Sequence, residues 1–425
     1  MTIPPLLMRW FIRSGAVRLF PGLQRRLDGG VDYLRYYSDR LLHSPLDLLE
    51  RMSGCLEAEG PDLIDLASAN PRFEVPASLP ARLPAEARAW PDPMGLPELR
   101  GTLAARLLAH HRLAFNPAEE ILITLGALGA AQIVFDAFVN RGDAVLLFDP
   151  TAPLYPLLAQ TRGASIRWIE TRVEQGRLRI RFDQLSRRMR GARLLVVCSP
   201  ANPTGAVLTP EDLEQISWWA DRQDVLLLSD EVYDAFRYEG ESVSLATQSR
   251  ARLRTLTINS VSKSHALAST RVGWLAAHRH LLRPCRLTAS LRSPFIPHIA
   301  QMQALAALRG NEDAFEHVLH QFDSRRRYVQ QRLEALGFET ELPAGGMFFW
   351  VRVPNGWESG QAFVETLQQV HRVRVLPGDL FGPSGRRHVR LSYVTDDGRL
   401  EEGLSRIGDL LRGPRQRRAL LRVAG

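Results

Sequence analysis

Between about residues 95 and 290, short apolar runs alternate with stretches of helical period. The runs "ILIT" (121), "AVLLF" (144), "SIRWIE" (165), "RLLVVC" (193), "VLLLSD" (225), "TLTINS" (255) and "VGWLAA" (272) read as strands. Amphipathic stretches such as "TPEDLEQISWWADRQ" lie between several of them, and there Thr209 followed by "PED" marks a helix start. Strands alternating with helices predict a mostly parallel sheet covered on both faces, the α/β class. The run "ILITLGALGAAQIVFDAFV" (121–139) is long enough to suggest a membrane span, but it holds Gly126, Gly129, Gln132 and Asp136. It reads as a buried strand, a glycine turn and a buried helix.

Beyond residue 300 the texture changes. A helical tract over about 298–336 leads to "GFETELPAGGMFFWVRVP", which reads as paired strands around a glycine turn. Helical "SGQAFVETLQQVH" and strand-like "HVRLSYV" follow. This predicts an N-terminal arm (1–34), a large domain (76–297) and a smaller α+β domain built from 35–75 and 298–425, a division that 425 residues accommodate.

Composition narrows the class. A hydrophobic fraction of 45% and a charged fraction of 24% are those of a globular enzyme. Cys55, Cys198 and Cys285 are widely spaced with no CxxC pair, which predicts a reducing, cytoplasmic setting without a disulfide framework or metal site. The formal charge of +8 comes from arginines spread along the chain, clustered mainly in the C-terminal "RGPRQRRALLR". That cluster reads as a solvated tail, and nucleic acid is not expected as a partner. In the apolar N-terminal stretch Arg9, Arg13 and Arg18 interrupt any signal-peptide pattern, so an arm packed on protein is expected rather than a membrane anchor.

Lys and Arg together number 54, and Lys263 is the only lysine among them. Arginine serves surface charge and anion binding at least as well as lysine, but it does not readily become a free amine. Lys263 follows a strand end, and other chemistry-bearing residues gather at such ends, where open parallel sheets bind ligands. "ILIT" runs into Gly126, where backbone NH groups at a helix start can face an anion. "RLLVVC" ends in "SPANPTG" with Asn202; "VLLLSD" ends in "DEVY" with Asp230 and Tyr233; "TLTINS" ends in "SVSK" with Ser260, and Arg271 stands eight residues after Lys263. Taken singly, Asn202 could be a turn residue, Asp230 a helix cap and Arg271 a surface charge.

In order, "SPANPTG", "SDEVYDAF", "SVSKSHALASTRVGW" and "HVRLSY" resemble the class I/II aminotransferases, fold-type I pyridoxal 5'-phosphate enzymes, over roughly residues 60–412. The resemblance implies a seven-stranded, mostly parallel sheet and a homodimer acting on an L-amino acid and a 2-oxo acid. It implies that Lys263 forms the Schiff base with the cofactor and moves a proton, with passage through a pyridoxamine form. Asp230 would pair with the ring nitrogen, and Asn202 and Tyr233 would bond the ring hydroxyl. Ser260, Arg271 and the backbone of Gly126, Ala127 and Leu128 would hold the phosphate. Arg390 would grip the substrate carboxylate, with Asn202 nearby.

Three positions depart from the family pattern. Ala152 stands where an aromatic residue stacks on the ring, leaving Tyr155 or another group to cover that face. Trp90 replaces the tyrosine that reaches the neighbouring subunit's phosphate, and Ala69 replaces a glycine near the substrate carboxylate. Another outcome on the same scaffold (β-elimination, decarboxylation or oxidation) stays open here, although a clamped carboxylate favours transfer. A non-catalytic sensor of cofactor or amino acids would need an added DNA-binding module, and residues 1–60 carry no helix-turn-helix pattern.

Overall fold

The computed structural model describes residues 60–423 other than 61, 75–77, 83, 85–86, 88 and 311. The expected N-terminal arm, residues 35–59 of the expected small domain, and Cys55 lie outside the described residues. The first elements are β1 (Ile64–Asp65), α1 (Pro97–His111), β2 (Ile121–Leu125), α2 (Gly126–Phe138), β3 (Ala144–Asp149) and α3 (Leu154–Thr161). They are followed by β4 (Ser165–Glu174), β5 (Arg177–Ile180), α4 (Phe182–Met189), β6 (Leu194–Cys198), α5 (Pro210–Gln223) and β7 (Leu226–Asp230). Next come β8 (Thr255–Ser260), α6 (Val261–Ser264), β9 (Val272–Ala277), α7 (Arg279–Arg292), α8 (His298–Leu308) and α9 (Glu312–Ala335). The remainder is β10 (Phe348–Arg352), α10 (Gly360–His371), β11 (Val373–Arg374), β12 (Leu376–Pro377), β13 (His388–Ser392) and α11 (Asp397–Val423).

All seven apolar runs enter one sheet, in the order β2-β9-β8-β7-β6-β3-β4-β5. Strands β3, β4, β6, β7 and β8 pair in parallel, while β9 runs against both β8 and β2. The eighth member, β5, folds back on β4 through Gln175 and Gly176, both at positive φ. Its four residues "RLRI" alternate arginine with apolar positions, too short a pattern to stand out in the sequence. The central strands are buried end to end, as a sheet covered on both faces requires. Helix α5 starts as its sequence dictates: Thr209 and Asp212 form a reciprocal capping box, with Pro210 in the first turn.

After residue 298 the expected single helical tract is two helices, α8 and α9, separated at Arg309 and Gly310. The expected hairpin around "PAGG" does not form. Instead β10 pairs antiparallel with β13, which also pairs with β12. The two glycines dock on the large sheet's loops: Gly345 NH donates to the Gly205 carbonyl at 2.8 Å and Gly346 NH to the Phe236 carbonyl at 2.7 Å. A Cβ on Gly345 would sit 2.5 Å from Pro200, so only glycine permits this approach. The contact holds the "SPANPTG" loop against the β10–β13 sheet, and β1 adds to β11 in parallel.

Candidate active site

Strand ends bring the chemistry together. At the tip of β7, Asp230 is buried, accepting hydrogen bonds from the Tyr155 hydroxyl and, at 3.3 Å, from the Val232 NH. Burial raises its pKa, against the lowering effects of Tyr155, Val232 and Lys263. Tyr155 itself is fully buried at the start of α3, and a buried phenol needs a partner for its hydroxyl. A tyrosine opening the apolar helix "LYPLLA" signals a buried hydroxyl in need of a partner, but not which partner. Its hydroxyl is committed to Asp230, and Ala152 is buried in the apolar cluster beneath α2 and β3. Tyr155→Phe leaves the carboxylate one donor short. Hydrogen bonds to charged groups are worth about 1.5–3 kcal/mol, so pyridoxal phosphate affinity, read by equilibrium dialysis, should fall about 10- to 100-fold. Unchanged affinity would remove Tyr155 from the site.

Ser260 ends β8, and the short turn of α6 carries Lys263. Lys263 Nζ donates to the Ala69 carbonyl and stands 5.9 Å from the Tyr233 ring centre. Its pKa is lowered to about 8 by burial first, then by the charges of Arg390 and Arg271, with Asp230 opposing. The sign is testable in cofactor-free protein. Below about 8 the group is an ammonium, and above it the free amine that attacks an aldehyde. Stopped-flow capture of pyridoxal phosphate should speed up about tenfold per pH unit and level off above about 8. A midpoint near the ordinary lysine value of about 10.4 would contradict the geometry.

The candidate anion cradle lies where β2 enters α2. Gly126 has a φ of +67°, and a Cβ there would meet Arg271 Nη2 at 2.4 Å. The first NH groups of this 13-residue helix, on Gly126, Ala127 and Leu128, have no intrahelical partner. The Leu128 side chain is exposed, so its backbone alone belongs to the cradle. Gly273, opposite Ser260 in β9, lets the helix start come this close: a Cβ would meet the Ala127 nitrogen at 2.7 Å. Nothing in "RVGW" alone marks this role, which depends on the pairing of β9 with β8.

Arg390, in β13, is buried between the rings of Phe348 (4.3 Å) and Phe381 (5.1 Å). It donates to Asn202 Oδ1 at 2.9 Å and to the Ala67 carbonyl at 2.6 Å, both uncharged, and its buried Nε has no partner among the described residues. Burial lowers its pKa to about 10. A desolvated guanidinium bonded to neutral oxygens is a receptor for a carboxylate. Tyr233, packed edge-on to Phe348, is buried, and its hydroxyl pKa is pushed up, so it remains a donor. Trp90 is the exception to the gathering: 82% exposed, it lies against Phe295 at 4.8 Å, on the outer surface of this chain.

An amine of lowered pKa, a buried carboxylate, a glycine-lined anion cradle and a carboxylate receptor fit pyridoxal 5'-phosphate and an amino acid. Fold and site define a fold-type I pyridoxal-phosphate enzyme. The chain matches the model of aminotransferase class I and II over residues 61–407 and belongs to that family. It is 30% identical over 359 residues to an aspartate aminotransferase of Pyrococcus abyssi, covering 83% of this chain and 92% of the relative. It is 31% identical over 372 residues to the aspartate/prephenate aminotransferase of Thermus thermophilus, covering 84% and 93%. The solved aspartate aminotransferase of Thermus thermophilus with maleate superposes with a TM-score of 0.78 at 29% identity, covering 88% of this chain and 99% of that one. The cofactor is pyridoxal 5'-phosphate and the reaction is amino transfer. Among the described residues no helix is long and apolar enough to cross a membrane.

Proposed function

We propose that Lys263 anchors the cofactor and moves the Cα proton during transfer between an L-amino acid and a 2-oxo acid, with Arg390 holding the substrate carboxylate. The observation that supports this is the buried Lys263 amine, bonded to the Ala69 carbonyl beside the Tyr233 ring and within electrostatic reach of Arg390 and Asp230. Bound pyridoxal phosphate supplies an aldehyde that takes up the amino group and a ring that accepts the electron pair left at Cα. Asp230, held by Tyr155, bonds the ring nitrogen as an anion and keeps it protonated. Asn202 and Tyr233 orient the ring hydroxyl, and Ser260, Arg271 and the α2 amides bind the phosphate. Arg390 fixes the carboxylate so that the Cα–H bond, rather than the bond to the carboxylate, faces Lys263 Nζ. Ala69 borders the same space through its carbonyl.

We further propose a homodimer in the cytoplasm. Trp90 is exposed and lies against the half-buried ring of Phe295, and Leu287 and Leu291, one turn apart on α7, are 65% and 89% exposed. Such apolar exposure fits a surface covered by a second copy, from which Trp90 reaches the partner's cofactor phosphate. Buried free thiols at Cys198 and Cys285 fit a reducing compartment. A panel of L-amino acids with 2-oxo acid acceptors, read for new 2-oxo acid, tests the reaction. Release of ammonia or carbon dioxide in its place would overturn it.

A further inference from the structure

Asp149, the last residue of β3, is 6% exposed, yet among the described residues no cation pairs with it. Its carboxylate accepts instead from one residue of the loop between β12 and β13. The Ser384 hydroxyl donates to Oδ1 at 2.7 Å, and the Ser384 NH donates to Oδ2 at 3.1 Å. A buried charge is costly unless it is paired or well hydrogen-bonded, so these bonds are what the site offers Asp149 in place of water. Ser384 itself is exposed, so the loop covers the carboxylate from the solvent side.

The turn after β3 grips the same loop a second time, with the Thr151 NH donating to the Phe381 carbonyl at 2.8 Å. Between these two attachments lies Gly382, at a φ of +141°, where a Cβ would meet Asp149 Oδ1 at 2.4 Å. Only glycine lets the loop rest directly on the carboxylate. Phe381 is fully buried, its ring 5.1 Å from Arg390 Cζ and edge-on to Trp350 at 5.6 Å. Asp149 therefore reaches Arg390 in two steps. Its bonds fix Ser384, and the loop so fixed places the ring that walls one side of the guanidinium. The anchor is firm, because the Thr171 hydroxyl of β4 donates to the Asp149 carbonyl at 2.9 Å.

We propose that Asp149 is a positioning residue for substrate binding, holding Phe381 against Arg390 through Ser384 so that the guanidinium is set for the α-carboxylate. This rests on the reading of Arg390 as the carboxylate receptor.

Steady-state kinetics on holoenzyme, with the fastest donor of the L-amino-acid panel above, test it. Asp149→Ala should raise the KM for that amino acid about 10- to 100-fold, the loss expected for bonds to a charged acceptor. A change confined to binding leaves kcat within about threefold of wild type. Affinity for pyridoxal phosphate should be unaltered, although the same turn leads on to Tyr155. Asp149→Asn keeps an oxygen that can accept from both Ser384 donors and should recover most of the loss. In the Arg390→Ala background, adding Asp149→Ala should lower kcat/KM by less than about twofold, since a residue acting through another is not additive with it.

An unchanged KM in Asp149→Ala overturns the proposal. So does a fall in cofactor affinity that matches the rise in KM, an asparagine variant as damaged as the alanine one, or a fully additive loss in the double variant. Wild-type KM in Arg390→Ala overturns the carboxylate reading and this proposal together, whereas a raised KM there with none in Asp149→Ala overturns the proposal alone. If Asp149→Ala does not fold, Ser384→Ala decides by the same criteria, with a rise in KM of at least about threefold.

Discussion

Enzyme carrying Lys263→Ala will lose turnover by at least about 10³-fold, and Lys263→Arg will do no better. The alanine variant removes both the amine that holds the cofactor and the group that moves the Cα proton. Proton transfer by a positioned side chain alone contributes about 10²–10⁴-fold. The arginine variant restores the positive charge beside Asp230 but not the chemistry, since a guanidinium does not become a free amine at any working pH. Two readouts separate this from misfolding. Borohydride reduction of wild-type holoenzyme should fix pyridoxal phosphate on the peptide containing residue 263, and on no peptide of either variant. Phosphate-dependent binding of the cofactor should persist, because Gly126, Ser260 and Arg271 are untouched. Turnover above about 1% of wild type in a clean Lys263→Ala preparation would show that another group does the work.

Arg390→Ala should be the next most damaging change, and it should act on the substrate rather than the cofactor. Truncating one partner of a buried, hydrogen-bonded charge pair costs about 2–5 kcal/mol, which for substrate recognition is about 30- to 4,000-fold in kcat/KM. Arg390→Lys should recover little of this, since the two-pronged grip needs the planar fork. The same variant carries a pH signature. Arg390 is one of the charges that lower the Lys263 pKa to about 8. Its removal takes away a repulsion against the ammonium, so the midpoint of cofactor capture should move above that value. A loss of activity with the midpoint unmoved would mean that Arg390 does not face Lys263.

Much of the site was legible because its chemistry permits few residue types. An amine was needed where the rest of the chain uses arginine, and that marked Lys263. Apolar runs ending in Asp230, Asn202 and Ser260 located the edge of the sheet where ligands bind. The strands of the large sheet were legible for the same reason: buried parallel strands are unbroken apolar runs, and each predicted run became a strand. Local signals that end within one turn, such as Thr209 with Asp212, were likewise written in adjacent residues.

The parts that were not legible depend on contacts between distant segments. "PAGG" carries the signal of a hairpin turn, yet Gly345 and Gly346 spend their NH groups on Gly205 and Phe236, more than 100 residues away. Tyr155 was a candidate to cover the cofactor ring, and the sequence did not show that its hydroxyl bonds Asp230, 75 positions along the chain. The sequence by itself determined seven of the sheet's eight strands and marked the candidate amine and the candidate anion-binding turn, because each rests on residue type and short-range period. Tertiary structure alone decided that Arg390 lies between two phenyl rings, bonded to neutral oxygens and with no carboxylate partner among the described residues. Burial and the unmet partner are set by what folds around a residue, and no local pattern records them.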